Sequence, residues 1–218
     1  MATADTTRID DDDTLVNGVR RPTGPMTEDE FVAWCDEDVK AEWVDGEVII
    51  MSPASSRHVQ IATWLIRVMG DSVEDRDLGE IFGTELMVRL VRQKRRRVPD
   101  IFFVAKERLG LLRKNHFEGA PDLALEIVSP DSQTRDRRDK LADYRKAGVR
   151  EYWIIDPIEE ELTAYAPGAN RRYAPIAPGA GRVPSSVIPG FFLRPEWLWR
   201  SPLPRKADVL RAMRRRGG

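Results

Sequence analysis

Two acidic residues interrupt apolar stretches that have the composition of β-strands. Asp100 lies within Val98 to Val104, and Glu126 lies within Leu123 to Val128. A carboxylate among such neighbours must be paired, protonated or bound to a metal, because an isolated buried charge costs on the order of several kcal/mol or more. If the two strands are neighbours, Asp100 and Glu126 can converge on one divalent cation.

Mg²⁺ suits such a pair of acids, because it is a hard cation that binds carboxylate oxygens and keeps several waters. A backbone carbonyl near Ile127 could add a ligand. Lys140 follows Glu126 on a predicted helix. A metal-activated water together with a lysine that stabilises developing negative charge is the equipment for hydrolysing a phosphodiester.

Several local signals predict the elements that position these residues. Thr27 is a predicted N-cap with Glu30 at the capping-box position, so a short helix is expected from Glu28. Residues 41–44 and 47–51 flank Asp45-Gly46, a pair that favours a two-residue hairpin turn. A helix is expected from Ser55 or Ser56 to about Gly70, with His58 in its inward-facing stripe.

The remaining pattern predicts an α/β fold, in which a mixed β-sheet is flanked by helices. A helix capped by Asp131 or Ser132 should run to about Ala147 and end at Gly148, giving one parallel crossover between the strands at 123–128 and 151–155. The other expected strands are 81–91, 98–104 and 161–165, the last pairing with 171–174.

We expect three regions along the 218 residues. Residues 1–25 are predicted to be a disordered acidic arm, and residues 26–167 to form the α/β domain with its N-terminal hairpin. Residues 168–218 form a Pro- and Gly-rich extension, with an aromatic anchor at Phe191 to Leu193 and Trp197 to Trp199 and a basic tail.

Composition limits the possible classes of protein. The single Cys35 excludes an intramolecular disulfide, and neither a membrane-spanning run nor a signal-peptide core is visible. A cytoplasmic protein without membrane attachment or an organic cofactor is therefore expected. The net charge of −1 shows no overall basic excess, so a nucleic-acid partner would need a local patch.

Basic clusters offer two such patches. Arg95, Arg96 and Arg97 are predicted to lie in a turn that leads directly to Asp100, and they are the better candidates for contact with a DNA backbone. Arg135 and Arg138 lie in the first turns of a helix, where cations oppose the helix dipole, and this placement suggests contact with phosphate. Neutralisation by neighbouring acids accounts for that second cluster equally well.

These residues resemble the Uma-two family of restriction-endonuclease-like proteins, a branch of the PD-(D/E)xK nuclease superfamily. The matching motifs are Val98-Pro99-Asp100, Leu125 to Pro130, Asp136, Lys140 and Tyr144, and Ala147 to Pro157. Residues 42–47, which match an E-x-x-x-G hairpin, and His58 also agree. The resemblance covers roughly residues 26 to 166.

The resemblance implies a restriction-endonuclease-like core, Mg²⁺-dependent cleavage of DNA, with Mn²⁺ as a substitute, and a homodimer. Asp100 and Glu126 would hold the metal, Lys140 would assist the attacking water, and Glu42 would be a further acid. His58 and Tyr144 would support them. The chain departs from the plain (D/E)-x-K pattern, because Val128 stands where the lysine is expected and Lys140 must reach the site from its helix.

Each of these residues could instead serve the fold alone. Asp100 could satisfy backbone donors at a strand start, Glu126 could form a buried ion pair with an arginine, and Lys140 could face solvent. Glu42 could be a surface acid and His58 a core histidine. At the level of function, a catalytically silent module that binds nucleic acid or protein is the alternative to a DNA endonuclease, and RNA is a further possible substrate.

Overall fold

The computed structural model describes residues 15–16, 18–36, 38–83, 85–129, 135–168 and 172–214. The chain divides into two compact units, one up to Pro53 and one from Ala54 onward. Within the described ranges, no helix has the length and apolar character needed to cross a bilayer.

The first unit begins with a small antiparallel hairpin of β1 (Leu15–Val16) and β2 (Val19–Arg20). This hairpin lies within the stretch expected to be a disordered arm, so the structure differs from that expectation there. The acidic run of the arm, residues 10–13, lies outside the described residues.

Helix α1 (Glu28–Trp34) begins as its sequence predicts. The Thr27 hydroxyl accepts a hydrogen bond from the Glu30 N–H, and the Glu30 carboxylate accepts one from the Thr27 N–H at 2.8 Å. These reciprocal bonds satisfy two N–H groups that the first helical turn leaves without partners. The predicted capping box is confirmed.

The predicted hairpin is also confirmed, as β3 (Ala41–Val44) and β4 (Glu47–Ile50). Its turn residues Asp45 and Gly46 have φ angles of 53° and 96°. Both angles lie in the left-handed region that a two-residue hairpin turn requires and that an Asp-Gly pair readily adopts.

The second unit contains eleven strands within the described residues. In chain order they are β5 (Gly79–Phe82), β6 (Met87–Leu90), β7 (Arg95–Arg97), β8 (Ile101–Ala105), β9 (His116–Glu118), β10 (Leu123–Ile127), β11 (Glu151–Asp156), β12 (Glu161–Pro167), β13 (Tyr173–Pro175), β14 (Val183–Pro184) and β15 (Phe192–Leu193).

The helices of this unit are α2 (Ser56–Glu74), α3 (Leu141–Ala147), α4 (Pro195–Leu198) and α5 (Lys206–Arg214), together with a 3₁₀ helix at Lys106–Leu111. A π-helical turn, Arg135–Lys140, leads directly into α3. The predicted cap at Asp131 or Ser132 lies outside the described residues.

The main sheet has the strand order β13-β12-β11-β10-β8-β5. The central pair β10 and β11 is parallel and the other neighbours are antiparallel, so the sheet is mixed and the predicted parallel crossover is confirmed. The antiparallel pair β6 and β7 and the parallel pair β6 and β9 form a separate ladder.

The main sheet is covered on both faces, as the continuous apolar runs of its strands require. One face packs against α2 through residues that include Ile101, Leu125 and Trp153. The other face packs against α3 and the β6 region through residues that include Phe102, Ala124 and Tyr152. Glu126 thus lies on β10, near the middle of the sheet, and Asp100 directly precedes the adjoining strand β8.

One expected strand, the expected basic turn and one expected helix end need correction. The single strand expected over 81–91 is two strands, β5 and β6, in different ladders. Arg95–Arg97 form strand β7, and the turn occupies residues 91–94. The helix expected to end near Gly70 continues as α2 to Glu74.

The C-terminal extension packs on the α2 face of the sheet. Leu193, Leu198 and Val209 are buried in the same apolar cluster as α2. Buried Glu151 fastens the preceding loop, because its carboxylate accepts hydrogen bonds from the Ser185 hydroxyl at 2.8 Å and from the Ser186 hydroxyl at 2.6 Å. The aromatic anchor is therefore part of the core.

Two glycine substitutions test the close approach of β5 to β8 in the main sheet. Gly79 has a φ of 144°, and a Cβ at that position would lie 2.0 Å from the Val104 carbonyl oxygen. We expect Gly79→Ala to lower the free energy of unfolding by about 2 kcal/mol or more, because β5 must shift away from β8.

Gly70, in the middle of α2, provides the matched comparison, because a Cβ there meets no atom within 4 Å. Gly70→Ala should raise the free energy of unfolding by about 0.5–1 kcal/mol through reduced backbone entropy of the unfolded chain. Urea unfolding of both variants measures the difference. Equal stability of the two would contradict the close approach of β5 to β8.

Candidate functional site

The two candidate metal-binding acids occupy opposing positions on neighbouring strands. The antiparallel ladder of β8 and β10 pairs Phe103 with Leu123 and Ile101 with Leu125. Continued by one residue, the same register places Asp100 opposite Glu126. Side chains opposite each other in an antiparallel pair have Cβ atoms about 4.5–5.5 Å apart.

Asp100 lies immediately before β8, and its carboxylate is hydrogen-bonded to the neighbouring strand β10. Its Oδ2 accepts a hydrogen bond of 2.8 Å from the backbone N–H of Ile127, the residue that follows Glu126. Its Oδ1 lies 3.2 Å from His58 Nε2. Asp100 is buried, and each of its two oxygens keeps a second lone pair beyond these contacts.

Glu126 forms a buried ion pair with Lys140, and a tyrosine completes the contact. The distance from Lys140 Nζ to Glu126 Oε1 is 2.9 Å, and the side chains of the two residues are only 1 % and 2 % exposed. The Tyr144 hydroxyl donates a hydrogen bond of 2.9 Å to the same oxygen. The chain has no lysine two residues after Glu126, where the (D/E)-x-K pattern expects it. Lys140 contacts Glu126 from the following helical segment instead.

Helical spacing explains why one element provides several of these contacts. Lys140 ends the π-helical turn, and Tyr144 lies one turn further along α3, so both side chains point toward the sheet. The Tyr144 ring packs against Tyr152 of β11, with ring centroids 5.0 Å apart. Gly148, with a φ of 91°, ends the helix as predicted.

His58 lies in the first turn of α2, and its backbone N–H donates to the Ser55 hydroxyl at 3.2 Å. Its ring is buried beside Asp100, but its Nδ1 has no hydrogen-bond partner within the part of the chain that the structure describes. A buried polar atom without a partner is costly, so such atoms are frequent where a ligand or ordered water binds.

Glu42 belongs to the first unit. It lies on β3 opposite Ile49 and is fully buried, which differs from the surface acid considered as the alternative. Its membership of the site remains a prediction.

The chemistry of these donors fits a hard cation. Asp100 and Glu126 provide carboxylate oxygens at adjoining positions, and Mg²⁺ is commonly held by one or two carboxylates and several waters. Within the described ranges, no three His, Cys, Asp or Glu side chains are grouped closely enough to enclose a metal ion. Two carboxylates at adjoining positions are compatible with a Mg²⁺ site in which waters provide the remaining ligands.

The arginines predicted to bind nucleic acid have different surroundings. Arg96 and Arg97 are buried, and Arg97 donates two hydrogen bonds to Asp143 Oδ2, at 2.6 and 3.0 Å. Arg95 pairs with Asp143 Oδ1. Burial leaves neither Arg96 nor Arg97 available to a phosphate in this conformation, contrary to their predicted role.

Arg138 remains exposed, with 83 % of its side chain accessible and only a long contact of 3.6 Å to Asp139. The side chain of Arg135 lies outside the described residues. Among the arginines predicted to bind nucleic acid whose side chains the structure describes, Arg138 is the most exposed.

The neighbouring Arg137 is engaged by two acids at the end of β11 and the start of β12. Its Nη2 lies 2.9 Å from Asp156 and 2.8 Å from Glu161, and the hydrogen bond to Asp156 raises the pKa of the guanidinium. Burial would raise the pKa of Asp156, but hydrogen bonds from the Glu159 N–H and from Arg137 outweigh burial and lower that pKa.

Asp143 is the residue that sequence reasoning missed. It is fully buried, and its two carboxylate oxygens pair with Arg95 and Arg97. Its position three residues after Lys140 places it on the same inward face of the helix. The signal that could have identified Asp143 is its spacing from an inward-facing Lys140, together with the arginine run that contains its partners Arg95 and Arg97.

Comparisons with known proteins agree with the motifs. A family model described as "Uma2: Putative restriction endonuclease" matches residues 28–196. An uncharacterized protein of Synechocystis is 24 % identical over 135 residues, which are 62 % of this chain and 76 % of that protein.

Among solved structures, a crystal structure from Anabaena variabilis, titled as a putative nuclease belonging to DUF820, superposes with a TM-score of 0.68. The sequence identity is 23 %, and the superposition covers 80 % of this chain and 98 % of that one. This likeness shows the fold.

The buried arginine pair leads to a stability prediction. Asp143→Ala removes the carboxylate that accepts two hydrogen bonds from the buried guanidinium of Arg97, so we expect the free energy of unfolding to fall by about 3–5 kcal/mol. Asp139→Ala, which removes only the exposed contact to Arg138, should change it by less than about 1 kcal/mol. Chemical denaturation measures both values, and a small effect of Asp143→Ala would contradict the burial of this pair.

Proposed function

The chain belongs to the Uma2 family, whose model is described as a putative restriction endonuclease, and from this we propose that it is a Mg²⁺-dependent endonuclease that hydrolyses DNA phosphodiester bonds. The observation that supports this proposal most directly is the opposed placement of Asp100 and Glu126 with Lys140 on Glu126. Two buried acids and a buried lysine at adjoining positions are more than the stability of a sheet requires.

Asp100 and Glu126 would hold Mg²⁺, with Mn²⁺ as a substitute. When bound, the ion supplies a water of lowered pKa and positive charge for the phosphate oxygens. The hydrogen bond from the Ile127 N–H fixes the Asp100 carboxylate, so the orientation of one ligand is set before any ion binds. Preorganisation of this kind lowers the cost of charge development during reaction.

Lys140 would orient the attacking water and offset negative charge that develops on the phosphate. Tyr144 holds the shared Glu126 oxygen, and His58 holds Asp100, so both are positioning residues. A homodimer, a cytoplasmic location and the use of Arg138 in DNA contact complete the proposal.

Isosteric substitution of the two acids tests the catalytic assignment. Asp100→Asn and Glu126→Gln should each reduce Mg²⁺-dependent nicking of supercoiled plasmid by at least about 10³-fold, because the metal-dependent steps lose a ligand. Asp139→Asn, an exposed acid on the same helical segment, should retain wild-type activity. Gel quantification of nicked plasmid gives the rates.

Thermal melts of the same proteins separate lost chemistry from lost folding. Full cleavage by both Asp100→Asn and Glu126→Gln, at unchanged melting temperature, would refute their assignment as metal ligands. If the wild-type protein cleaves RNA but not DNA, RNA replaces DNA as the substrate in the proposed function.

A catalytically silent binding module is the second candidate, and one observation favours it. Glu126 already has a lysine and a tyrosine on the same oxygen, an arrangement that satisfies a buried carboxylate without a metal. A module that uses the fold only for binding requires the buried Glu126 carboxylate to be paired in this way, and it requires no metal ion.

Calorimetric titration with Mn²⁺ distinguishes the two candidates. An endonuclease should bind Mn²⁺ with a measurable heat that Asp100→Asn abolishes, while Asp139→Asn leaves it unchanged. We expect the first result. Absence of metal binding by the wild-type chain, together with retained binding of nucleic acid, would establish the silent module.

A further inference from the structure

A strong positive charge begins where the family match ends. The match stops at residue 196, and the 22 residues after it contain seven arginines or lysines and one acid, in a chain with a net charge of −1. This segment therefore lies outside the matched region and has a charge opposite to that of the remainder. Such asymmetry is typical of a contact with a polyanion.

The segment is fixed to α2 over its described part. The Trp64 indole N–H donates to the Pro204 carbonyl at 2.8 Å, and the Arg57 guanidinium donates to the Leu198 carbonyl at 2.6 Å. Val209 and Met213 of α5 are buried in the core. The described part of the segment therefore has a fixed position on α2 and presents a defined surface.

Two of its bases are used for this attachment. Lys206 pairs with Asp71 at 2.8 Å, and Arg214 pairs with Asp75 at 2.5 Å, so α5 is held to α2 by charge as well as by apolar contact. These two bases contribute little net charge to the surface, because their partners neutralise them.

Three exposed arginines do not take part in attachment through their charge. Arg67 on α2, and Arg200 and Arg205 on either side of the Ser201–Leu203 loop, form no ion pair within the described ranges. Two adjoining clefts share this loop, with volumes of about 470 and 460 Å³. Arg200 and Arg205 line the first cleft and Arg67 lines the second.

Two indole rings border the same clefts. Arg194 also lines the first cleft, but its guanidinium pairs with Glu196 at 3.1 Å, so it adds little net charge there. Trp197 borders one cleft and Trp64 the other. Apolar walls beside charges reduce screening by water and focus the field into the clefts. Asp208 also lines the first cleft but lies 3.5 Å from Arg211.

We propose that Arg67, Arg200 and Arg205, arranged around the Ser201–Leu203 loop, bind backbone phosphates of DNA outside the cleavage site. This inference rests on the proposed function, because a DNA-cleaving site provides the polyanion. Guanidinium groups hold phosphates in bidentate geometry, and contacts of this kind position a duplex without reading its sequence.

Salt dependence of binding tests the proposal. Fluorescence anisotropy with a short labelled DNA duplex, in EDTA to prevent cleavage, gives Kd over a KCl series for the full chain. The triple variant Arg67→Gln, Arg200→Gln and Arg205→Gln should bind the duplex at least about tenfold more weakly at 0.1 M KCl. Its slope of log Kd against log salt should fall by about 2 to 3, because three phosphate contacts are lost.

A charge-matched control separates a local site from total charge. The control variant neutralises three exposed bases elsewhere, through Lys114→Gln, Lys146→Gln and Arg172→Gln. Its slope of log Kd against log salt should differ from that of the wild type by less than about 1, the change that one phosphate contact causes. Melting temperatures confirm that both triple variants are folded.

The outcomes separate this inference from the proposed function. Equal weakening in the two triple variants, or preference of the wild-type surface for RNA over duplex DNA, would overturn the inference and leave metal-dependent cleavage intact. A wild-type chain that neither binds nor cleaves DNA would remove the proposed function and this inference together.

Discussion

Burial of the Glu126 carboxylate is the constraint on which the site depends. A charge at the centre of a sheet covered on both faces is tolerated only with a partner of opposite charge and with satisfied hydrogen bonds. Lys140 and Tyr144 meet that requirement, and both come from the helical segment that crosses between the parallel strands β10 and β11. The crossover and the charge pair therefore stabilise each other.

The same helical segment has a second electrostatic task. Asp143, one turn along from Lys140, accepts the guanidinium groups of Arg95 and Arg97 of β7. The segment is thus attached to the sheet through Lys140 and to the smaller ladder through Asp143. A change in either pair is expected to move the lysine that faces Glu126, so the stability of this helix and the geometry of the site are coupled.

Local signals were the most predictable part of the fold. The Asp-Gly hairpin and the Thr27 capping box each depend on residues within a few positions of one another, and both were correct. The strand break after β5 and the burial of Arg96 and Arg97 depend on tertiary partners, which a single sequence does not show. Three consecutive bases resemble a solvated turn until the inward-facing Asp143 is recognised as the partner of two of them.

Burial of these arginines has a consequence for how DNA could be held. Arg95 and Arg97 share the Asp143 carboxylate, and Arg96 and Arg97 are buried, so the bases nearest to Asp100 in sequence contribute more to folding than to an exposed binding surface. Under the proposed function, the bases that face DNA would then lie elsewhere on this chain, whose net charge is −1. The surplus after residue 196 is where the sequence concentrates them, and the attachment of that segment to α2 connects it to the element that begins with His58 in its first turn. One helix therefore joins the proposed phosphate-binding surface to the histidine that holds Asp100.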